Sequence, residues 1–248
     1  MKRAGMYSGR YLNMINELFR KMTVAQIFSA LSGTVCMLVD SIIIGRLLGV
    51  DSMSAYGLAL PLLTLLIALG TMICCGIQIV CAKALGFGNL DDAGACYSTS
   101  IVISLTMAVV GMLLIFIACN PVCMLLGAGK ANHTVFIQTG EFLKGYFLGT
   151  PFFFLSQITA PYLQAMGKRM TLFYSVLAMT LADFVFDLLS QYVFHAGMFG
   201  IGIASGLSYL AALCVCAGFF LKESCPFRFS SGGIRLGEIT VLSCVDIA

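Results

Sequence analysis

The chain has 248 residues, of which 60% are hydrophobic and 10% are charged, and its mean hydropathy is +0.99. A soluble domain is about 45–50% apolar and about 25% charged, so no soluble fold would hide this much apolar surface from water. The composition therefore excludes a soluble enzyme and a nucleic-acid-binding domain and predicts an integral membrane protein. The net charge is only +3, so the placement of the basic residues matters more than their number.

The eleven cysteines do not indicate a disulfide scaffold or a zinc site. Their number is odd and none of them forms a C-x-x-C pair. Six of them lie inside long apolar runs, where a thiol behaves as a small apolar side chain. We therefore interpret them as packing residues.

Six membrane spans are predicted, near 22–45, 56–82, 95–119, 137–160, 170–193 and 198–221. Each is close to the roughly 20 residues that a helix needs to cross the hydrocarbon. The apolar runs do not alternate with polar residues, which excludes a closed β-barrel and predicts an all-α membrane protein. Pro151 predicts a kink inside the fourth span. His195-Ala196-Gly197 predicts a tight turn between the last two spans.

Residues 1–21 precede the first span and combine apolar residues at helical spacing with Arg and Lys. This pattern favours a cytoplasmic amphipathic leader lying on the membrane surface, and the alternative is a disordered basic leader. It is not typical of a signal peptide, because the apolar stretch that follows is too long and lacks a small-residue cleavage site. The domain organisation predicted is a leader over 1–21, a six-helix membrane lobe over 22–222, and a cytoplasmic segment over 223–248.

The basic residues predict the orientation of the chain in the membrane. Eleven Lys and Arg residues fall at the two termini and in the second and fourth loops, whereas only Arg46 and Lys130 fall in loops on the other side. Because cytoplasmic loops carry the excess of Lys and Arg, both termini are predicted to be cytoplasmic. An even number of spans requires both termini to lie on one side of the membrane, so the span count and the charge bias agree. We expect a multi-pass protein of the plasma or inner membrane.

Apart from Glu141, which is expected to pair with Lys144 at the outer end of the fourth span, three acidic residues lie inside predicted spans: Asp40 in the first, and Asp183 and Asp187 in the fifth. Each costs roughly 2.5–3.5 kcal/mol at the centre of a membrane helix. Helix rise places all three at a similar depth, about 20–27 Å from the cytoplasmic side. Like charges at one place repel, so such a cluster is expected to hold protons or bind a cation such as Na⁺. The alternative is three separate, solvated carboxylates.

Several stretches in chain order resemble the multidrug and toxic compound extrusion (MATE) family. Residues 40–61 read DSIIIGRLLGVDSMSAYGLALP, residues 84–93 read ALGFGNLDDA, and residues 162–167 read YLQAMG. The fifth and sixth spans carry Asp183-x-x-x-Asp187 and then GMFGIGIAS at 197–205. The ordered set covers about residues 22–222 and is fairly specific to that family.

The resemblance implies one lobe of a twelve-helix, two-lobe transporter that exports amphipathic, often cationic organic compounds. It implies antiport coupled to H⁺ or Na⁺, with no other cofactor. The family's first-helix acid falls on Asp40, its fifth-helix acid on Asp187 and its sixth-helix hydroxyl on Ser205, while Asp183 stands where the family usually has Asn. These four residues are the predicted ion site. No substrate-binding residues are predicted.

The chain departs from the family pattern in two further ways. The proline usual in the first helix is missing near Ala25, so the bending of that helix is expected to differ. Residues 223–248 resemble the linker between the lobes, so the chain is expected to be a fragment, to pair with another copy, or not to transport alone. The partners expected are therefore a small organic substrate, the lipid bilayer and a second six-helix lobe.

Three other functions are alternatives to antiport. A flippase for lipid-linked precursors belongs to the same superfamily, but it has a more basic cavity, and no Arg or Lys lies deep in a span here. An intramembrane aspartyl protease is disfavoured because Asp40 and Asp183 lack the flanking motifs of those enzymes. A membrane scaffold without transport activity is the remaining alternative.

Overall fold

Seven helices make up the part of the chain that the structure describes. The structure is a computed structural model that describes residues 16, 19–20, 23–24, 27, 30–86, 90–129, 132–165 and 169–222. The predicted tail 223–248, and all of the predicted leader except residues 16, 19 and 20, lie outside the described residues. The helices are α1 (Ala30–Leu48), α2 (Val50–Gly86), α3 (Leu90–Leu125), α4 (His133–Leu148), α5 (Thr150–Ala165), α6 (Arg169–Tyr192) and α7 (Gly197–Lys222).

The predicted all-α membrane fold is confirmed, and five of the six predicted spans are each met by one helix. Within the described ranges, α1, α2, α3, α6 and α7 each contain a stretch long and apolar enough to cross a bilayer, although α3 is kinked at Ala118. Helices α4 and α5 have 16 residues each, or about 24 Å at the usual helix rise, which is less than the roughly 30 Å of hydrocarbon. They follow one another with only Gly149 between them, so together they form the fourth span.

The interruption in the fourth span lies at Gly149, two residues before the proline that predicted a kink. Pro151 occupies the first turn of α5, where its missing N–H costs no helical hydrogen bond. The N–H of Gly149 donates to the carbonyl of Tyr146, and the hydroxyl of Thr150 donates to the carbonyl of Phe147 at 2.7 Å. The predicted kink is therefore a break between two helices whose end groups are paired locally.

Two of the turns are very short. Gly49 alone separates α1 from α2, with φ at 91°, and the last five residues of α1 (Ile44–Leu48) are wound as a π-helical turn. Arg46 therefore lies in this helical turn and not in a loop. The predicted turn at 195–197 is confirmed, with φ at 47° for His195 and 57° for Gly197.

Helix α7 packs most extensively against α6 and α4. Glycines allow the backbones of α4 and α7 to touch: a Cβ on Gly145 would lie 2.3 Å from the carbonyl oxygen of Phe199, and one on Gly202 would lie 2.5 Å from that of Phe142. Such small-residue crossings are how membrane helices gain packing energy where lipid offers no hydrophobic drive. This contact fixes α4 beside α7, and α6 packs on α7 as well, so all three helices border the site described next.

Candidate functional site

The three acidic side chains predicted from the sequence lie together in the interior of the lobe. Asp40 on α1 is 6% exposed, and Asp183 and Asp187 on α6 are 4% and 0% exposed. The carboxyl of Asp40 lies beside that of Asp187, and each of these two also interacts electrostatically with Asp183. The structure therefore places the three carboxyl groups as one interacting cluster and not as separate solvated groups.

Four oxygens of this cluster are buried without a hydrogen-bond partner among the described residues. They are Oδ1 of Asp40, Oδ1 of Asp183 and both carboxylate oxygens of Asp187. Buried polar atoms in proteins are nearly always paired, so unpaired carboxylate oxygens indicate a place where something else binds. A proton or a small hard cation satisfies such oxygens.

A polar stripe on α1 faces the acidic part of α6. Ser32, Cys36 and Asp40 are spaced four apart and share one face of α1. The hydroxyls of Ser32 and Thr180 are hydrogen-bonded to each other, and the thiol of Cys36 lies against both Thr180 and Asp183. Ser32 and Thr180 were not predicted from the sequence, and Cys36 was predicted to be a packing residue. The four-residue spacing from Asp40 was the signal that would have found the stripe on α1.

A cavity of about 530 Å³ adjoins the cluster and is bordered by helices α1, α2, α4, α5, α6 and α7. Drug-sized ligands occupy cavities of about 300–1,000 Å³. Asp40 and Asp183 line this cavity, whereas Asp187 does not. Two members of the cluster therefore line the cavity and one does not.

The rest of the cavity wall is rich in aromatic side chains, contributed by Tyr56, Phe142, Tyr146, Phe153 and Tyr209. These rings pack edge to face: the centroids of Phe153 and Tyr209 are 5.1 Å apart, and those of Tyr56 and Phe142 are 5.3 Å apart. Aromatic faces attract organic cations. The sequence did not predict this wall, because its residues come from α2, α4, α5 and α7.

The predicted hydroxyl ligand Ser205 is on the cavity wall and donates to the backbone carbonyl of Ile201 at 3.2 Å. The hydroxyl that lies against Asp183 is instead that of Ser208, three residues further along α7. Ser208 also donates to the carbonyl of Ser205 at 2.7 Å. Helical spacing from Ser205 would have suggested Ser208, which the sequence analysis did not consider.

Among the described residues, the acidic cluster does not form a multidentate metal site with other side chains. Within the described ranges, no three or more His, Cys, Asp or Glu side chains are placed to hold a metal ion together. The close pair of Asp40 and Asp187 can share one proton or one monovalent cation between its two carboxyl groups.

A family model described as MatE matches residues 25–189, which is well over half of the chain. The chain belongs to the MatE family. Among curated MatE relatives, the probable multidrug resistance protein YoeA of Bacillus subtilis is 26% identical over 200 residues, covering 79% of this chain and 42% of the relative. The multidrug export protein MepA of Staphylococcus saprophyticus is 24% identical over 213 residues, covering 86% of this chain and 47% of the relative.

Solved MatE-type structures share the fold. An outward-facing multidrug resistance MATE transporter matches with a TM-score of 0.79 at 18% identity, covering 91% of this chain and 50% of the other. An inward-facing one matches with a TM-score of 0.77 at 20% identity, covering 86% of this chain and 48% of the other. The chain therefore has the fold of one lobe of these transporters and spans about half the length of the curated relatives it matches.

Proposed function

We propose that this chain is one lobe of an exporter that carries amphipathic organic compounds across the cell membrane in exchange for H⁺ or Na⁺. The observation that carries the proposal is a buried carboxylate cluster with unpaired oxygens beside an aromatic cavity. Relatives named as multidrug export and multidrug resistance proteins support the substrate class. A second six-helix lobe completes the transporter, and both termini face the cytoplasm.

The exchange of substrate for H⁺ or Na⁺ depends on the repulsion between the carboxylates of Asp40 and Asp187. Two like charges about 4 Å apart repel by about 4 kcal/mol at an effective dielectric of 20. A proton or cation held by the pair removes that repulsion and lets α1 and α6 approach. Loss of the ion pushes the helices apart and changes the cavity that they border.

The lining of the cavity favours a neutral or cationic substrate over a lipid-linked diphosphate. Asp40 and Asp183 are its acidic residues, and no Lys, Arg or His is among the described residues that line it. A flippase for an anionic lipid precursor would need positive charge at this place. We therefore prefer export of organic compounds to lipid flipping.

Exchange at the site can be measured on the purified chain in detergent. Tetraphenylphosphonium, a lipophilic cation, is added at neutral pH in a weakly buffered solution that contains a pH indicator. We expect about one proton released for each cation bound, because substrate and coupling ion use one connected set of carboxylates. The same titration in increasing NaCl, with choline chloride as the control, distinguishes proton from sodium coupling.

Asp40→Asn and Asp187→Asn should each abolish this release. Asp51→Asn is the matched control, because Asp51 is an exposed acid in the first turn of α2, away from the cavity lining. Proton release that persists in both Asp40→Asn and Asp187→Asn, in the absence of any sodium effect, would refute the proposed coupling site.

A further inference from the structure

Asp183 differs from Asp187 in what it faces, although the two are only four residues apart on α6. Asp187 is completely buried, lies beside Asp40 and is not part of the cavity wall. Asp183 is 96% buried, yet it is part of that wall. The carboxyl of Asp187 is therefore enclosed together with that of Asp40, whereas the carboxyl of Asp183 is at the cavity wall.

The surroundings of Asp183 leave one of its oxygens open to a ligand. The thiol of Cys36 and the hydroxyl of Ser208 lie against the carboxyl. The thiol can donate a hydrogen bond to it, whereas the Ser208 hydroxyl donates to the carbonyl of Ser205. Its Oδ1 has no hydrogen-bond partner among the described residues. A buried carboxylate oxygen without a partner on a cavity wall is a strong acceptor for a positive charge brought in by a ligand.

The aromatic wall described above supplies the other half of a binding site for an organic cation. Tyr146 and Tyr209 line the same cavity as Asp183, and both interact electrostatically with it. Phe153 packs edge to face on Tyr209 and extends the ring surface. Apolar rings that surround one carboxylate favour a bulky cation with delocalised or shielded charge over a small hydrated ion.

We propose that Asp183 is the residue that pairs with the positive charge of the exported compound, while Asp40 and Asp187 hold the coupling ion. This inference rests on the proposed function and divides its carboxylates into two roles. Because Asp183 and Asp187 share a helix face one turn apart, a positive charge at one weakens binding of a positive charge at the other. The two sites then exchange cations without having to share a ligand.

The test uses a pair of ions with the same shape and opposite charge, tetraphenylphosphonium and tetraphenylborate. Equilibrium dialysis of each ion against the purified full chain in detergent, corrected with protein-free micelles, gives the two affinities. The wild-type chain should prefer the cation. Asp183→Asn should weaken tetraphenylphosphonium binding by about ten- to a hundredfold, the effect of one charge-assisted contact, and should not weaken tetraphenylborate binding.

Two further variants separate this role from a structural one. Asp183→Glu keeps the charge and should retain most of the preference for the cation. Asp187→Asn is the matched neutralisation one turn away, and it should abolish proton release while leaving the preference for tetraphenylphosphonium intact. Because each Asn variant removes a buried charge, insertion and folding are not expected to suffer, and a monodisperse elution profile checks this.

The outcomes distinguish the inference from the proposed function. A cation preference unchanged in Asp183→Asn overturns the role of Asp183, and it leaves the coupling pair standing if Asp187→Asn still loses proton release. If Asp183→Asn lowers the affinity for both ions equally, the substitution has damaged the cavity, and this result also overturns the proposed role of Asp183. If Asp187→Asn and not Asp183→Asn loses the preference for tetraphenylphosphonium, the substrate charge pairs with Asp40 and Asp187. That result contradicts the separate roles proposed for Asp183 and for this pair.

Discussion

Gly149, between α4 and α5, lies backbone against backbone on Gly206 of α7. A Cβ on Gly149 would lie 2.2 Å from the Cα of Gly206, and a Cβ on Gly206 would lie 2.6 Å from the Cα of Gly149. No side chain fits at either position without moving a helix. The contact holds the break in the fourth span at a fixed place, between Tyr146 and Phe153, which line the cavity on either side of it.

Gly206→Ala should therefore destabilise the lobe. Overpacking a tight contact costs typically about 1–3 kcal/mol, and backbone neighbours cannot rotate away as a side chain can. Gly218→Ala is the matched control on the same helix, since a Cβ there would meet nothing within 4 Å. Thermal unfolding of the purified chain in detergent measures both variants. Equal melting temperatures for Gly206→Ala and wild type would show that the two helices separate more easily than the structure indicates.

The orientation of the chain in the membrane should follow the distribution of its Lys and Arg residues. A reporter fused after Ala248 should be cytoplasmic, and one inserted in the loop around residue 130 should be on the outer side. Paired reporters, one active only in the cytoplasm and one active only outside, check both positions. An external reporter signal from the carboxyl terminus would contradict this orientation.

Residues 1–248 alone should not carry out gradient-driven transport as a monomer. Alternating access requires one helix bundle to move against another around a shared site, and this lobe supplies one bundle. Reconstituted vesicles with an imposed pH or Na⁺ gradient, loaded with a fluorescent organic cation, should show no more efflux than protein-free vesicles. Efflux from vesicles in which the chain is shown to be monomeric would refute the requirement for a second lobe.

The acidic residues should not contribute equally to transport once a second lobe is present. Asp40→Asn should abolish ion coupling without harming insertion, because the variant helix is easier to bury. Asp183→Asn restores the residue usual in the family and should be milder, changing the ion dependence more than the rate when the substrate is uncharged. Vesicle efflux at several pH and Na⁺ values measures this. If Asp183→Asn is as damaging as Asp40→Asn and Asp187→Asn to efflux of an uncharged substrate, the residue-by-residue correspondence with the family is wrong.

The arrangement of spans was predictable from sequence because it depends on local properties. A helix satisfies its own backbone hydrogen bonds, and the hydrocarbon thickness sets its length, so apolar runs alone locate the spans. The same reasoning identified Asp40, Asp183 and Asp187, since a carboxylate at such depth is costly wherever it lies. The break near Pro151 and the turn at 195–197 were also local signals, carried by residues with restricted or left-handed backbone conformations.

The tertiary structure alone decided how these residues divide around the cavity. Whether Asp183 or Asp187 borders it depends on how far the cavity extends along α6, because the two residues share one helix face. The aromatic wall joins Tyr56, Tyr146 and Tyr209 from three helices, and no spacing within one segment reveals such a meeting. Ser208 replaces Ser205 beside Asp183 for the same reason. Hydropathy determines which segments enter the membrane, whereas side-chain neighbours across helices depend on crossings that glycines such as Gly149 and Gly206 permit.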